Sequence, residues 1–163
     1  MQLGILARRG TMAAMSCDSP IGAEQMRLRA DMDAVSDYCE VNLETWAGIH
    51  WDNDEPVRIA AYFTADLDRH RAALHAVVQH PDRVDVRLAR HTAMEVAAIR
   101  WQIHDVLQRT GRSWSSSTGV DTVFIGLAPG SENVQAGLSE RFGDLIEFEP
   151  WQEREKLLPR GVR

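Results

Sequence analysis

Six histidines are the first residues in this chain whose type could carry chemistry. His70, His75 and His80 fall in one region, with His91 and His104 further on. Two metal ligands on one helix must stand three or four residues apart to share a face, whereas a step of five turns the side chain by about 140°. The spacing therefore assigns no metal ligand, and these histidines read as solvated side chains. His70 differs, because it falls on the apolar stripe of its helix, where a lone histidine reads as hydrogen-bonded packing.

Asp66 and Asp68 with His70, or His104 with Asp105, could be written as acid–base pairs. Sequence neighbours on a helix seldom take the geometry that proton transfer needs, and Asp66 reads better as a helix cap. Cys17 and Cys39 lie too far apart for a paired-thiol motif and carry no nucleophile signature, so they read as free thiols. Gly126 and Gly130 beside Pro129 lack the lysine and the glycine spacing of a phosphate loop. No catalytic, metal-binding or cofactor-binding residue is assigned.

Aromatic and tail residues offer a different kind of chemistry. Of five tryptophans, Trp46, Trp51 and Trp101 read as core or boundary packing, while Trp114 and Trp151 lie in polar contexts beside strands, where an aromatic can anchor a partner. The tail 151–163 carries four basic and two acidic residues, against the acidic balance of the body. Trp114, Phe148, Trp151, Arg154, Leu157 and Leu158 are the candidate partner-binding residues.

These side chains are carried by 163 residues, enough to bury about two thirds of the unfolded surface. An apolar fraction of 44% and a charged fraction of 26% are those of a packed globular protein. With 24 acidic against 18 basic side chains, a net charge of −6 opposes phosphate backbones, so no nucleic-acid partner is expected. No apolar run reaches the ~20 residues of a membrane helix, and a soluble chain follows. Residues 1–19 read as a flexible N-terminus whose apolar stretch is shorter than a signal-peptide core, which favours the cytoplasm.

Ser19-Pro20 opens a helix over 20–43, with Leu28, Met32, Val35 and Cys39 on one stripe. Trp46 to Trp51 and Val57 to Phe63 form a hairpin around the turn cluster Asp52-Asn53-Asp54-Glu55-Pro56. A helix with Leu67, His70, Leu74 and Val78 follows, and Val84 to Leu88 alternates as a half-buried strand. Thr92-Ala93-Met94-Glu95 is a capping box for a helix over 92–110 striped by Val96, Ile99, Ile103, Val106 and Leu107. Residues 112–119 read as a loop or poor edge strand. Val123 to Leu127 is a strand, Val134, Leu138 and Phe142 mark a helix, and Leu145 to Glu149 returns as a strand.

The fold class is thus α+β: two duplicated ββαβ-like units of ferredoxin-like character, joined by a helix and preceded by an N-terminal helix. A single domain over 20–150 is expected, comprising the helix 20–45, a first unit 46–90, the connecting helix 91–111 and a second unit 112–150. Gly48 to Asp52 overlays Gly119-Val120-Asp121 in this reading. The segment Trp46 to Glu149, through that hairpin entry, Tyr62-Phe63-Thr64, Val84 to Leu88, the 92–110 helix and Arg141-Phe142-Gly143-Asp144, resembles the propeptide domains of secreted bacterial serine proteases of the α-lytic protease and streptogrisin type and related stand-alone actinobacterial domains. The resemblance implies a folding template or inhibitor that offers a sheet edge and a C-terminal tail to a protease.

A non-catalytic protein-interaction module, inhibitor- or chaperone-like, is the leading expectation, with another protein as partner and no cofactor. The alternatives are a small ligand-binding protein or enzyme with a site between the two units, using His70, His104 or a carboxylate, and a structural subunit of a larger assembly.

Overall fold

The computed structural model of the chain describes residues 19–151. The elements run α1 (Pro20–Arg27), α2 (Arg29–Glu40), β1 (Trp46–Asp52), β2 (Arg58–Phe63), α3 (Leu67–Val77), β3 (Val84–Leu88), α4 (Ala93–Gln108), β4 (Trp114–Thr118), β5 (Val123–Leu127), α5 (Glu132–Phe142) and β6 (Ile146–Glu149). A turn of 3₁₀ helix precedes each of β3 and β6. The protein is α+β with two similar three-stranded sheets, ordered β1-β2-β3 and β4-β5-β6. By internal contacts the described residues fall into two compact units, 19–97 with 119–121, and 98–118 with 122–151.

In each sheet the first two strands pair antiparallel and the last two parallel, across a helical crossover. Trp46 opens β1 opposite Phe63 and Trp114 opens β4 opposite Leu127, so the two tryptophans hold equivalent places. The strand that answers β1 is therefore β4, formed by the serine-rich segment that sequence left between loop and edge strand. Gly119-Val120-Asp121 is instead the turn after it, which corrects the overlay on Gly48 to Asp52. Asp121 takes a positive φ of 60° and its carboxylate accepts from the amides of Arg90 (2.9 Å) and His91 (2.7 Å).

The repeat extends further than two ββαβ segments. Leu28, Val35 and Cys39 are buried along α2, and Val96, Ile103 and Leu107 are buried along α4 at the same spacing. Each helix leads into the first strand of its sheet. The joining helix α4 is thus also the second copy of α2. The N-terminal helix expected over 20–43 divides at Leu28 (φ −90°, ψ 7°), where the chain turns so that this fully buried side chain heads the α2 stripe.

The core of the first unit gathers Leu28, Val35, Cys39, Ile59, Ala61, Phe63, Leu74, Val84 and Val86. Full burial of a side chain such as Phe63 or Ile59 contributes roughly 1.5–3 kcal/mol. In the second unit Ile103, Leu107, Val123, Ile125, Leu138 and Phe142 are buried in the matching places. The capping box at α4 is complete: the Thr92 amide donates to Glu95 Oε2 (2.7 Å) and the Glu95 amide to Thr92 Oγ1 (3.2 Å). Among the described residues no helix is long and apolar enough to cross a membrane.

Candidate functional site

The side chains first suspected of chemistry are mostly absorbed by the fold. His70 is 1% exposed, stacks on Phe63 at 3.9 Å, and bonds Tyr38 Oη through Nδ1 (2.8 Å) and Thr45 Oγ1 through Nε2 (3.0 Å). Burial, followed by the neighbouring Arg69 charge, pushes its pKa below the usual histidine value. Both ring nitrogens are used, so this imidazole is packing. Asp66 carries no capping hydrogen bond; it adopts a left-handed φ of 54° and pairs with Arg69 at 3.8 Å, contrary to the cap expected there. Asp68 pairs with Arg71 (2.6 Å) and Asp105 with Arg109.

The reading of the other histidines as solvated also changes. His80 is half-buried and donates from Nδ1 to Asp31 at 2.7 Å. His104 lies between Trp101 and Trp114, its pKa lowered by burial and then by Arg100, and its Nε2 stands 2.7 Å from Ser116 Oγ. Arg100 Nε donates to that same oxygen (3.1 Å), which leaves the hydroxyl proton for the imidazole. No described carboxylate bonds His104 Nδ1, so the pair lacks the third group that orients a base beside a nucleophile. Cys39 is buried and its thiol is pushed up to about 12, chiefly by burial, which keeps it protonated and unreactive. Cys17 lies outside the described residues. Among the described residues no three His, Cys, Asp or Glu side chains gather as a metal site.

The described candidate partner-binding residues, Trp114, Phe148 and Trp151, lie on different parts of the second sheet. Trp114 is half-buried on β4 against His104, while Phe148 is half-buried on β6, at the opposite edge of the sheet. Phe148 is in register with the buried Ile125 and so faces the apolar layer. Trp151 lies over Gly126, where an added Cβ would stand 3.7 Å from its ring. Arg154, Leu157 and Leu158 lie outside the described residues. Trp101, expected in the core or at its boundary, is 71% exposed, because the buried stripe of α4 runs through Val96, Ile103 and Leu107 on another face.

What distinguishes the two sheets is their edges. Along a strand, the N–H and C=O of one residue point to the same side and those of the next to the other. Ala89 donates to Phe63 O (2.9 Å), so Val84 and Val86 turn their carbonyls away from β2 to the open side of β3. Two side chains of α3 close that side: His75 Nε2 lies 3.3 Å from Val84 O, and Arg71 donates to Val86 O at 3.5 Å. Arg100 from α4 likewise donates to Ser116 O on β4 (3.4 Å), and β1 is interrupted by a bulge between Trp46 and Gly48. These are devices that keep a sheet edge from pairing further.

The register of β6 on β5 repeats that of β3 on β2, Ile146 standing opposite Val123 as Val84 stands opposite Ile59. The backbone amides and carbonyls of Ile146 and Phe148 therefore face the open side. Where α3 presents Arg71 and His75, α5 presents Gln135 and Ser139, both exposed, and no described side chain bonds the carbonyls of Ile146 or Phe148. Nothing in the sequence singled out Arg71 or His75, since the carbonyls they cover become neighbours only through the crossover. No family model and no curated protein matches the chain.

Proposed function

We propose that the protein is a non-catalytic interaction module that takes up an extended segment of a partner protein along β6 by β-augmentation. The observation that supports this reading is the difference between duplicates: β3 has its outward carbonyls covered by Arg71 and His75, and no described side chain covers those of β6. Ile146 and Phe148 present apolar side chains on one face of that edge, with Glu147 and Glu149 on the other. The complementary segment alternates apolar and basic residues, which matches the net charge of −6. An inhibitor- or chaperone-like action on a protease is the narrower form of this function implied by the resemblance to protease propeptides.

Residue 148 offers the test, because its amide faces the open side and takes no part in pairing with β5. Phe148→Pro removes that donor, while Phe148→Leu removes the ring and keeps the donor. With synthetic six-residue strands of alternating Val and Lys as probe, loss of binding by the proline variant alone is expected, together with slowed amide exchange at 146 and 148 on binding. Equal binding by wild type and the proline variant would refute the proposal.

A further inference from the structure

The two crossover helices differ at their N-termini in a way that points to a ligand. A residue in left-handed conformation stands at the entry to each helix: Asp66 (φ 54°) directly before α3, and Gly130 (φ 81°) before Ser131, the N-cap of α5. These places correspond, because Leu74 and Leu138 then fall at the same buried position behind the central strand. In the first unit that residue carries a carboxylate, which pairs with Arg69 at 3.8 Å and makes no capping bond. In the second unit it brings no side chain, and Arg112 Nη1 stands 3.1 Å from where a Cβ would be. Arg112 makes no ion pair with a described residue.

Ser131 supplies an independent observation. It is the N-cap of an eleven-residue helix, 5% exposed, and its hydroxyl makes no capping bond and has no hydrogen-bond partner among the described residues. A buried hydroxyl left in that condition costs roughly 1–3 kcal/mol, and native structures seldom leave one without reason. The amides of Glu132, Asn133 and Val134 have no acceptor within their own helix, as in any first turn. Glu132 is exposed in the first turn of α5 and Asp68 in the first turn of α3, so the acidic first turn is common to both copies.

We propose that Gly130, Ser131, the first turn of α5 and Arg112 form a binding site for a phosphate group. A glycine at the approach, a hydroxyl and amide donors at a helix N-terminus and a planar guanidinium are a complementary donor set for a tetrahedral oxyanion with several acceptor oxygens. This site is separate from the β6 edge and stands or falls independently of it.

The test uses the full chain, inorganic phosphate or O-phosphoserine as probe, and sodium chloride or serine at matched ionic strength as controls. A dissociation constant on the order of 1 mM raises the melting temperature by about 3–5 °C at ten times that concentration. Amide NMR shifts are expected at Gly130 to Val134. Arg112→Gln, on an exposed side chain, is expected to abolish both responses while keeping the unliganded melting temperature, and Gly130→Asp to abolish them with a lowered unliganded melting temperature, since residue 130 has a φ of 81° and a Cβ there would lie 3.1 Å from Arg112 Nη1. Response to inorganic phosphate alone identifies the free ion, and response to O-phosphoserine as well identifies an esterified phosphate. Equal melting shifts in wild type and both variants, without localised amide shifts, would overturn the site.

Discussion

Asp31 on α2 and His80 after α3 meet at 2.7 Å through Oδ2 and Nδ1, although 49 residues of chain separate them. The other carboxylate oxygen accepts from the Gln79 amide at 2.6 Å, and the aspartate is 2% exposed. A buried carboxylate is tolerated because both oxygens are satisfied, one by an imidazole and one by backbone. It ties the end of the first crossover helix to α2. Asp31→Ala strands both donors and is expected to cost about 3–4 kcal/mol in urea unfolding, with Asp31→Asn losing less because one acceptor survives.

The buried His70 gives stability a pH dependence of known sign. Its pKa is lowered in the folded state, chiefly by burial, so below the ordinary value of about 6.5 the unfolded chain takes up a proton more readily than the folded one. Its contribution is whole above that pH and declines as acid is added. His104, also lowered by burial, acts in the same direction. Replacing His70 with valine, the residue at the corresponding place in α5 (Val134), should lower stability at pH 8 by about 1–3 kcal/mol, since Tyr38 and Thr45 lose a partner. The decline between pH 7 and 5 should become shallower, measured as unfolding free energy against pH.

Covering the edge of β3 should be separable from holding the fold. Arg71→Gln with His75→Ser gives α3 the residues that α5 carries at those places, and leaves the core untouched. Stability is expected to fall by less than about 1 kcal/mol, because both side chains are partly exposed. Sedimentation and light scattering should show new self-association, since Val84 and Val86 would then present open carbonyls. A variant as monodisperse as its parent would assign the two side chains no protective role.

Gly126 admits no side chain without adjustment. A Cβ there would lie 2.5 Å from Ser115 Oγ and 3.7 Å from the Trp151 ring. Gly126→Ala is expected to cost about 1–3 kcal/mol by overpacking and to alter the fluorescence of Trp151, isolated by difference against Trp151→Phe. The double variant Gly126→Ala with Ser115→Gly should recover much of that loss, because the closest obstruction is one serine hydroxyl.

The legible part of the fold was whatever repeats within one element. The stripe Val96, Ile103, Leu107 predicted α4, Thr92 and Glu95 predicted its cap, and the alternation in Val84 to Leu88 predicted β3; in each the determining partners are a few residues away in sequence. The duplication was legible too, but not its register, since the serine-rich β4 has no apolar alternation and is recognisable only by its pairing with β5. Trp101 illustrates the limit: tryptophan is apolar enough to expect inside, yet one helix face buries and the other does not.

Sequence by itself determined the composition of each element, the absence of a recognised catalytic motif and the α+β class, because these follow from local periodicity and turn chemistry. Tertiary structure decided which edge is closed and which open, that Asp31 is buried against His80, and that Arg112 stands over Gly130 beside the unpartnered hydroxyl of Ser131. Those are relationships between residues far apart in the chain or on neighbouring strands. They exist only after the crossovers have brought the groups together, and side-chain type alone carries no record of which neighbour it will meet.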